Sequence, residues 1–140
     1  MPNRPAMVGA GATGLYAPSG LDTHLKTRAE AILGACGLGN IGEHFPDTDE
    51  KYKNFDSIKL LERVAKMARD NRFEIGNVDC SVVCEQPKIA LKRDEMQQRL
   101  SQAVGSPVTV KGRRAEGLGA LGRHEGIACW AVAIVAQNKD

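Results

Sequence analysis

The chain has 140 residues, enough for one domain with a hydrophobic core. Its 19 basic and 17 acidic residues leave a formal net charge of +2, too balanced to indicate a nucleic acid as partner. The sequence contains neither a run of 18 apolar residues nor a hydrophobic signal segment, which predicts a soluble, cytoplasmic protein without a membrane partner.

The four cysteines are predicted to be reduced core residues. Cys80 and Cys84 lie four residues apart on a predicted strand, about 13 Å from each other. A disulfide requires Cα atoms about 4–7 Å apart, so these two cannot pair. No C-x-x-C pair occurs, so a structural zinc site is not expected.

Residues 1–20 are rich in glycine and alanine, and only Ala6–Val8 is predicted as a short edge strand, the rest as loop. The run Gly9–Gly14 matches the dinucleotide-binding pattern G-x-G-x-x-G. That pattern requires a helix after the glycines, but Pro18 and Gly20 follow instead. The match therefore does not predict a dinucleotide site.

Three amphipathic helices are predicted from apolar residues at helical spacing. The first begins near Asp22 or Thr23 and ends at Gly37, the second is capped by Asp56 or Ser57, and the third spans residues 92–104.

Between the first two helices, residues 37–49 contain three glycines and one proline, which predicts about a dozen residues without regular structure. Ile41 and Phe45 are apolar enough to anchor the segment, which indicates a packed binding loop. An ordinary connection between helices is the alternative.

Strands are predicted where the apolar period becomes two, from Glu74 to Cys84, and over Val108–Lys111. The apolar segment 126–137 is typical of a strand buried on both faces. Strands interleaved with helices predict an α/β (α+β) domain of two layers, with a mixed sheet and helices on one face.

Three segments, in order and at matching spacing, resemble the methylerythritol cyclodiphosphate synthase family. They are Ala31–Asp49, Gly76–Cys80 running into Gln86–Ile89, and Glu116–Gly119 followed by Gly122–Ile127. The resemblance extends from about Gly14 to Val135. It implies a single domain and a homotrimer, with strands around a threefold axis and active sites between subunits. The family reaction cyclises a cytidine-diphosphate methylerythritol phosphate, with release of CMP, and supplies isoprenoid precursors with the help of divalent metal ions (zinc, magnesium or manganese).

The resemblance also implies roles for individual residues. Ser19, Asn40, Ile41, Gly42, Phe45, Pro46, Asp47, Thr48 and Asp49 would bind the methylerythritol end of the substrate. Cys84, Glu85, Gln86, Pro87, Lys88, Ile89 and Ala90 would hold the cytosine, largely through backbone groups. Arg123 would contact phosphate, and Arg123 and Glu125 would lie near the trimer axis or form an ion pair between subunits. Apart from the resemblance, the positive charges of Arg113, Arg114 and Lys26 predict phosphate contacts.

The sequence departs from the family at the catalytic positions. The Asp-x-His pair of the first family strand does not precede Gly14, so residues 1–20 are interpreted as a shortened or irregular hairpin. Lys26 stands where the third metal ligand, a histidine, is expected, and an ammonium group has no lone pair for a metal. The threonine-rich phosphate loop is replaced by residues 111–116, which retain only Glu116 as a weak catalytic candidate.

These departures favour a family member with impaired or absent cyclase activity, either a degenerate paralogue or an engineered trimeric scaffold with a second component. One alternative is an active, metal-dependent synthase with relocated ligands, drawn from Asp22, His24 or His44. Another is a non-enzymatic nucleotide- or phosphate-binding module that uses residues 111–114. The expected partners are other copies of the chain and a cytidine nucleotide.

Overall fold

The computed structural model describes residues 7–16 and 23–139, and for residues 7–16, 23 and 24 the backbone alone. Four strands are present in this part of the chain: β1 (Met7–Tyr16), β2 (Phe73–Val83), β3 (Val108–Arg113) and β4 (Ile127–Gln137). The helices are α1 (Thr23–Ala35), α2 (Ile41–His44), α3 (Ser57–Asp70), α4 (Arg93–Val104) and α5 (Gly119–Gly122). None of these helices is long and apolar enough to cross a membrane.

The strands form one mixed sheet in the order β1-β4-β2-β3. β4 runs antiparallel to both β1 and β2, whereas β2 and β3 are parallel. Because parallel strands end at the same edge of a sheet, the segments that follow β2 and β3 lie side by side. This edge positions the site described below.

Helices α1, α3 and α4 pack against one face of the sheet and enclose an aliphatic core. Ile32, Leu61, Val104 and Val135 are fully buried there. The predicted two-layer α/β architecture with a mixed sheet and helices on one face is confirmed.

The opposite face of the sheet is open within the described part of the chain. Residues of β4 alternate, so that Cys129 and Val135 are buried, whereas Trp130 is 42% and Val132 50% exposed. Within the single chain the predicted burial of this strand is therefore met on one face, and burial of the other face stays a prediction that depends on assembly with other copies.

The three long helices were predicted correctly from capping residues and apolar spacing. Asp56 caps α3 by accepting a hydrogen bond from the Ile58 N–H at 2.8 Å. α4 ends at Gly105, whose φ of +76° lies in the left-handed region that glycine adopts without a Cβ clash.

Two predictions of irregular structure were wrong. Residues 9–16 form most of strand β1, which pairs with β4 from Met7–Ala136 to Tyr16–Ile127. The pairing uses backbone groups, so a stretch of glycine and alanine without an alternating pattern forms a strand when a central strand offers an unpaired edge. The run Gly9–Gly14 lies within this strand and not in a turn before a helix.

The loop 37–49 also contains regular structure, the short helix α2. The Asn40 side chain accepts a hydrogen bond from the Glu43 N–H at 3.0 Å, and Glu43 accepts one from the Asn40 N–H at 3.3 Å. This reciprocal capping box pairs two N–H groups that a helix start leaves without partners. A single helical turn is thereby stabilised in a segment rich in glycine.

Candidate functional site

A cavity of about 470 Å³, here called the basic cavity, lies at the carboxyl ends of β2 and β3. One wall is the segment after β2, which contributes Cys84, Glu85, Lys88, Ile89 and Ala90. The other wall is formed by Val110, Lys111, Gly112, Arg113 and Arg114, with Arg93 of α4 at the side. The structure thus brings five of the seven residues expected to bind cytosine, all but Gln86 and Pro87, and two of those expected to bind phosphate to one site.

The geometry of the first wall is fixed by local hydrogen bonds. The Cys84 N–H donates to the Arg113 carbonyl at 3.1 Å and prolongs the pairing of the two strands, and the Cys84 thiol donates to the Pro87 carbonyl at 3.4 Å. The chain then passes through the cis Gln86–Pro87 bond into the 3₁₀ turn Ile89–Leu91.

Gly112 allows the two walls to approach each other. A Cβ atom at this position would lie 2.8 Å from the Cβ of Ile89, closer than side-chain carbons pack. The close approach therefore depends on glycine at position 112.

Glu85 is a buried carboxylate in the first wall of the basic cavity. It accepts a hydrogen bond from the Gly117 N–H at 3.3 Å and contacts the Arg114 guanidinium at 3.5 Å. The Gly117 hydrogen bond, reinforced by the charge of Arg114, lowers the pKa of Glu85 despite its burial. The side chain remains ionised at neutral pH and ties the turn after β3 to the end of β2.

Three of the five cations around the basic cavity have an acidic partner within the chain. Arg114 contacts Glu85, Arg93 contacts Asp94 at 3.2 Å, and Lys111 contacts Asp79 at 2.6 Å. Burial opposes ionisation of Asp79, but hydrogen bonds from Lys111 and Thr109 outweigh it and lower its pKa. The remaining two cations, Lys88 and Arg113, form no ion pair with any described residue, so an anion entering the cavity meets two positive charges without such a partner.

A second cavity, of about 280 Å³ and here called the loop cavity, adjoins the 37–49 segment. Ile41, Phe45 and Asp47 line it, together with Lys26 of α1. Two further aromatic residues, Tyr52 and Phe55, also line it. The ring centroids of Phe45 and Tyr52 are 5.3 Å apart, and those of Tyr52 and Phe55 are 5.7 Å apart. Asn54, Ser57 and Leu60 complete the lining.

The other residues of the predicted binding loop make structural contacts. Asn40 caps α2, and Asp49 caps the turn Glu50–Tyr52, where a hydrogen bond from the Lys51 N–H lowers its pKa. Gly42, Pro46 and Thr48 do not line the loop cavity. The Nε2 atom of His44 lies 2.6 Å from the Leu38 carbonyl and acts as a donor, which leaves the lone pair of the ring on Nδ1.

Several predicted residues fall elsewhere. Glu116 is exposed in the turn after β3 with a φ of +53°, and no described cavity includes it. Arg123 and Glu125 form an ion pair with each other, with Nε–Oε1 and Nη2–Oε2 distances of 2.7 and 3.2 Å. Ser19, Asp22 and the side chain of His24 lie outside the described residues.

Sequence reasoning did not identify Arg93, Tyr52, Asn54 or Phe55 as lining residues. Arg93 belongs to a helix whose charged face looks like ordinary surface. Tyr52 and Phe55 follow the predicted loop 37–49 and were therefore not considered part of it. In a chain with few aromatic residues, their closeness to Phe45 in sequence could have indicated a shared aromatic cluster.

The donor set at the loop cavity does not fit the divalent metal that the family resemblance implies. Of the described residues that line it, only Asp47 carries an anionic oxygen, and the Lys26 ammonium repels a cation. Among the side chains described, from Leu25 to Lys139, no three His, Cys, Asp or Glu groups converge as a metal site would require. No step of chemistry is therefore assigned to a metal at this position.

A mixed sheet backed by helices, with a basic cavity at the ends of two parallel strands, defines an α/β protein suited to binding a phosphorylated ligand. The model of the YgbB family matches residues 6–136. The 2-C-methyl-D-erythritol 2,4-cyclodiphosphate synthase of Geotalea daltonii is 45% identical over 130 residues, which cover 91% of this chain and 76% of that protein. The chain belongs to the YgbB family, that of the cyclodiphosphate synthases of isoprenoid precursor biosynthesis.

Solved structures agree with this assignment. The bifunctional IspDF of Campylobacter jejuni is 28% identical with a TM-score of 0.88, covering 96% of this chain. The chain spans only 43% of that bifunctional protein. The CDP complex of Plasmodium falciparum IspF shares the fold at 21% identity, with a TM-score of 0.81, covering 98% of this chain and all of that one.

Proposed function

We propose that the basic cavity binds a cytidine nucleotide and that metal-dependent cyclisation is impaired in this chain. The observation that carries the first half is the pair of cations, Lys88 and Arg113, which line the basic cavity without an acidic partner among the described residues, whereas the charge of Glu85 is engaged by Arg114. The segment 88–90, which lines the cavity, supplies backbone groups for a base, and charge-assisted contacts suit a phosphate. The CDP bound to Plasmodium falciparum IspF, which shares the fold, supports a cytidine nucleotide as the ligand.

The impaired cyclisation rests on the loop cavity. Phosphoryl transfer relies on cations that neutralise the developing charge while they hold the reacting groups in line. Lys26 supplies one permanent positive charge on a flexible side chain, without the coordination geometry of a metal ion. A fixed ammonium binds phosphate but does not align an attacking oxygen with the leaving group.

The nucleotide half is tested by titrating CDP and cytidine into the protein by calorimetry. We expect CDP to bind with a dissociation constant of about 1 mM, equivalent to about 4 kcal/mol, and EDTA to leave this value unchanged. Arg113→Ala should weaken CDP binding several-fold more than cytidine binding. Arg114→Ala is the matched variant, and it should have the smaller effect because Glu85 already engages that guanidinium. Equal losses for both ligands would contradict the assignment of phosphate to Arg113.

The catalytic half is tested by CMP release from the family substrate in the presence of zinc, magnesium or manganese. We expect no turnover above background with any of the three. Metal-dependent turnover at rates of about 1 s⁻¹ or more would overturn this half of the proposal and leave the nucleotide half intact.

The second candidate function is a working synthase with relocated ligands. The 45% identity to a named synthase favours it. In that case His24→Ala would abolish both metal binding and CMP release.

We also propose that the chain assembles as a trimer through the open face of its sheet. The support is the exposure of Trp130 and Val132 on the central strand β4, where apolar side chains would otherwise face water. The family resemblance implies a homotrimer with strands around a threefold axis, and in such a trimer the open face of the sheet would be covered by the other two copies.

A further inference from the structure

A third cavity, here called the apolar cavity, lies between α3 and α4 beneath the segment after β2. It measures about 440 Å³, within the range of roughly 300–1,000 Å³ typical of small-molecule sites. The apolar residues of its lining are Leu25, Ile58, Pro87, Ile89, Met96 and Leu100. Three lining residues, Pro87, Lys88 and Ile89, are also among those that the family resemblance assigns to cytosine binding, whereas the others belong to α1, α3, α4 and the caps of α3 and α4.

Charged side chains surround this apolar floor: Lys88, Lys92 and Arg99 as cations, and Asp56 and Glu95 as anions. Both anions already have partners within the chain. Asp56 caps α3 through the Ile58 N–H, and Glu95 contacts the Lys92 ammonium at 3.2 Å.

Lys88 and Arg99 remain, because neither forms an ion pair with a described residue. The cavity therefore combines a hydrocarbon floor with two positive charges that have no acidic partner among those residues. That combination complements a ligand with a hydrocarbon chain and an anionic head. The chain would be buried against Met96 and Leu100, and the head would remain at the rim, where both cations retain their hydration.

We propose that the apolar cavity is a binding site for an amphiphilic anion, an alkyl chain that ends in a carboxylate or phosphate. The site is separate from the basic cavity, although Lys88 and Ile89 line both. Its existence does not depend on the proposed nucleotide binding.

The probe is decanoate, used below its micelle-forming concentration, with decanol and decyltrimethylammonium as ligands of the same chain length. Binding is measured by calorimetry, and its location by NMR of the full chain labelled at the methionine methyl groups. The Met96 signal is assigned from its loss in Met96→Leu. We expect decanoate to bind saturably and to shift the Met96 signal, and decyltrimethylammonium to do neither.

Arg99→Gln should raise the dissociation constant of decanoate about two- to fivefold, the effect of an exposed ion pair. Lys59→Gln, which removes an exposed cation outside the cavity, should leave it unchanged. Filling the cavity with Met96→Trp should weaken decanoate at least about tenfold, and circular dichroism checks that this variant is folded. Decyl phosphate in place of decanoate distinguishes the two head groups.

No saturable binding, or a decanoate titration that leaves the Met96 signal unmoved, would overturn the proposal. So would equal binding of decanol and decanoate together with no effect of Arg99→Gln, because the charge would then play no part.

Discussion

At the scale of single residues, Glu85 has a contact that its sequence position does not reveal. It belongs to a segment expected to bind a base, yet its carboxylate contacts the chain 29 and 32 residues further on, at Arg114 and Gly117. The hydrogen bond from the Gly117 N–H lowers the pKa of Glu85, so the stability of the fold depends on the ionisation of this carboxylate.

We predict that Glu85→Gln destabilises the protein at neutral pH and that the difference disappears in acid. Because the folded pKa is lower than the unfolded one, the ionised carboxylate stabilises the fold above the unfolded value, about 4.3. That contribution is lost as the pH falls through the lowered folded pKa. Urea unfolding of both forms at pH 7, 5 and 3 measures it. Glu62→Gln, on the exposed face of α3, should show no such convergence, and a constant offset for Glu85→Gln at all three pH values would contradict the prediction.

The buried sulfur atoms show what a sequence does not specify. The four cysteines were predicted to be reduced and buried, and in the structure all four are free and buried. The Sγ atoms of Cys80 and Cys129 nevertheless lie 3.2 Å apart, with the thiol of Cys80 hydrogen-bonded to Cys129. This contact raises the pKa of Cys80. It depends on the register of β2 against β4, which no local pattern encodes because the two residues are 49 positions apart.

At the scale of elements, prediction was accurate wherever local chemistry decides the structure. Helices α3 and α4 both have apolar residues at helical spacing; α3 also has the capping side chain of Asp56, and α4 ends at Gly105. Strand β1 was largely missed because its hydrogen bonds come from a distant partner and its residues have no alternating pattern. Helix α2 was missed although its signal is local, since Asn40 followed three residues later by Glu43 is a capping-box pattern.

We predict that Asn40→Ala loosens α2 and lowers the free energy of unfolding by about 1 kcal/mol, the usual cost of a lost N-cap. Asn40→Asp retains the side-chain acceptor and should remain close to the parent protein. Urea unfolding gives the free energy, and amide hydrogen exchange over residues 41–45 gives the local effect. Unchanged exchange in Asn40→Ala would show that packing of Ile41 and Phe45, not the cap, holds the turn.

The segment after β2 illustrates why the candidate site was only partly predictable. Its residues were identified from their resemblance to a family, but their neighbours across the cavity follow from the parallel pairing of β2 and β3. Parallel order brings Arg113 beside Cys84, and Gly112 permits close approach to Ile89. Only the folded structure shows which of the cations contact a carboxylate and which have no such partner among the described residues.

At the scale of the whole molecule, the asymmetry of the sheet is the main feature. One face is covered by α1, α3 and α4, and the other presents the side chains of β4. The chain contains one tryptophan, and it lies on that open face. The exposed pair Trp130 and Val132 is therefore both a candidate contact between copies and an optical reporter of assembly.

We predict that the protein sediments as a trimer at micromolar concentration and that Val132→Asp converts it into a folded monomer. Val132 is half exposed in the single chain, so aspartate is solvated there, but three copies around an axis would bury the charges without partners. Analytical ultracentrifugation measures the mass, and Trp130 emission should shift to longer wavelength as the ring meets water. Gln102→Asp introduces the same charge on α4 and should leave the trimer intact. A parent protein that sediments as a monomer would contradict assembly through this face, and a trimer that persists in Val132→Asp would place the contacts elsewhere on the surface.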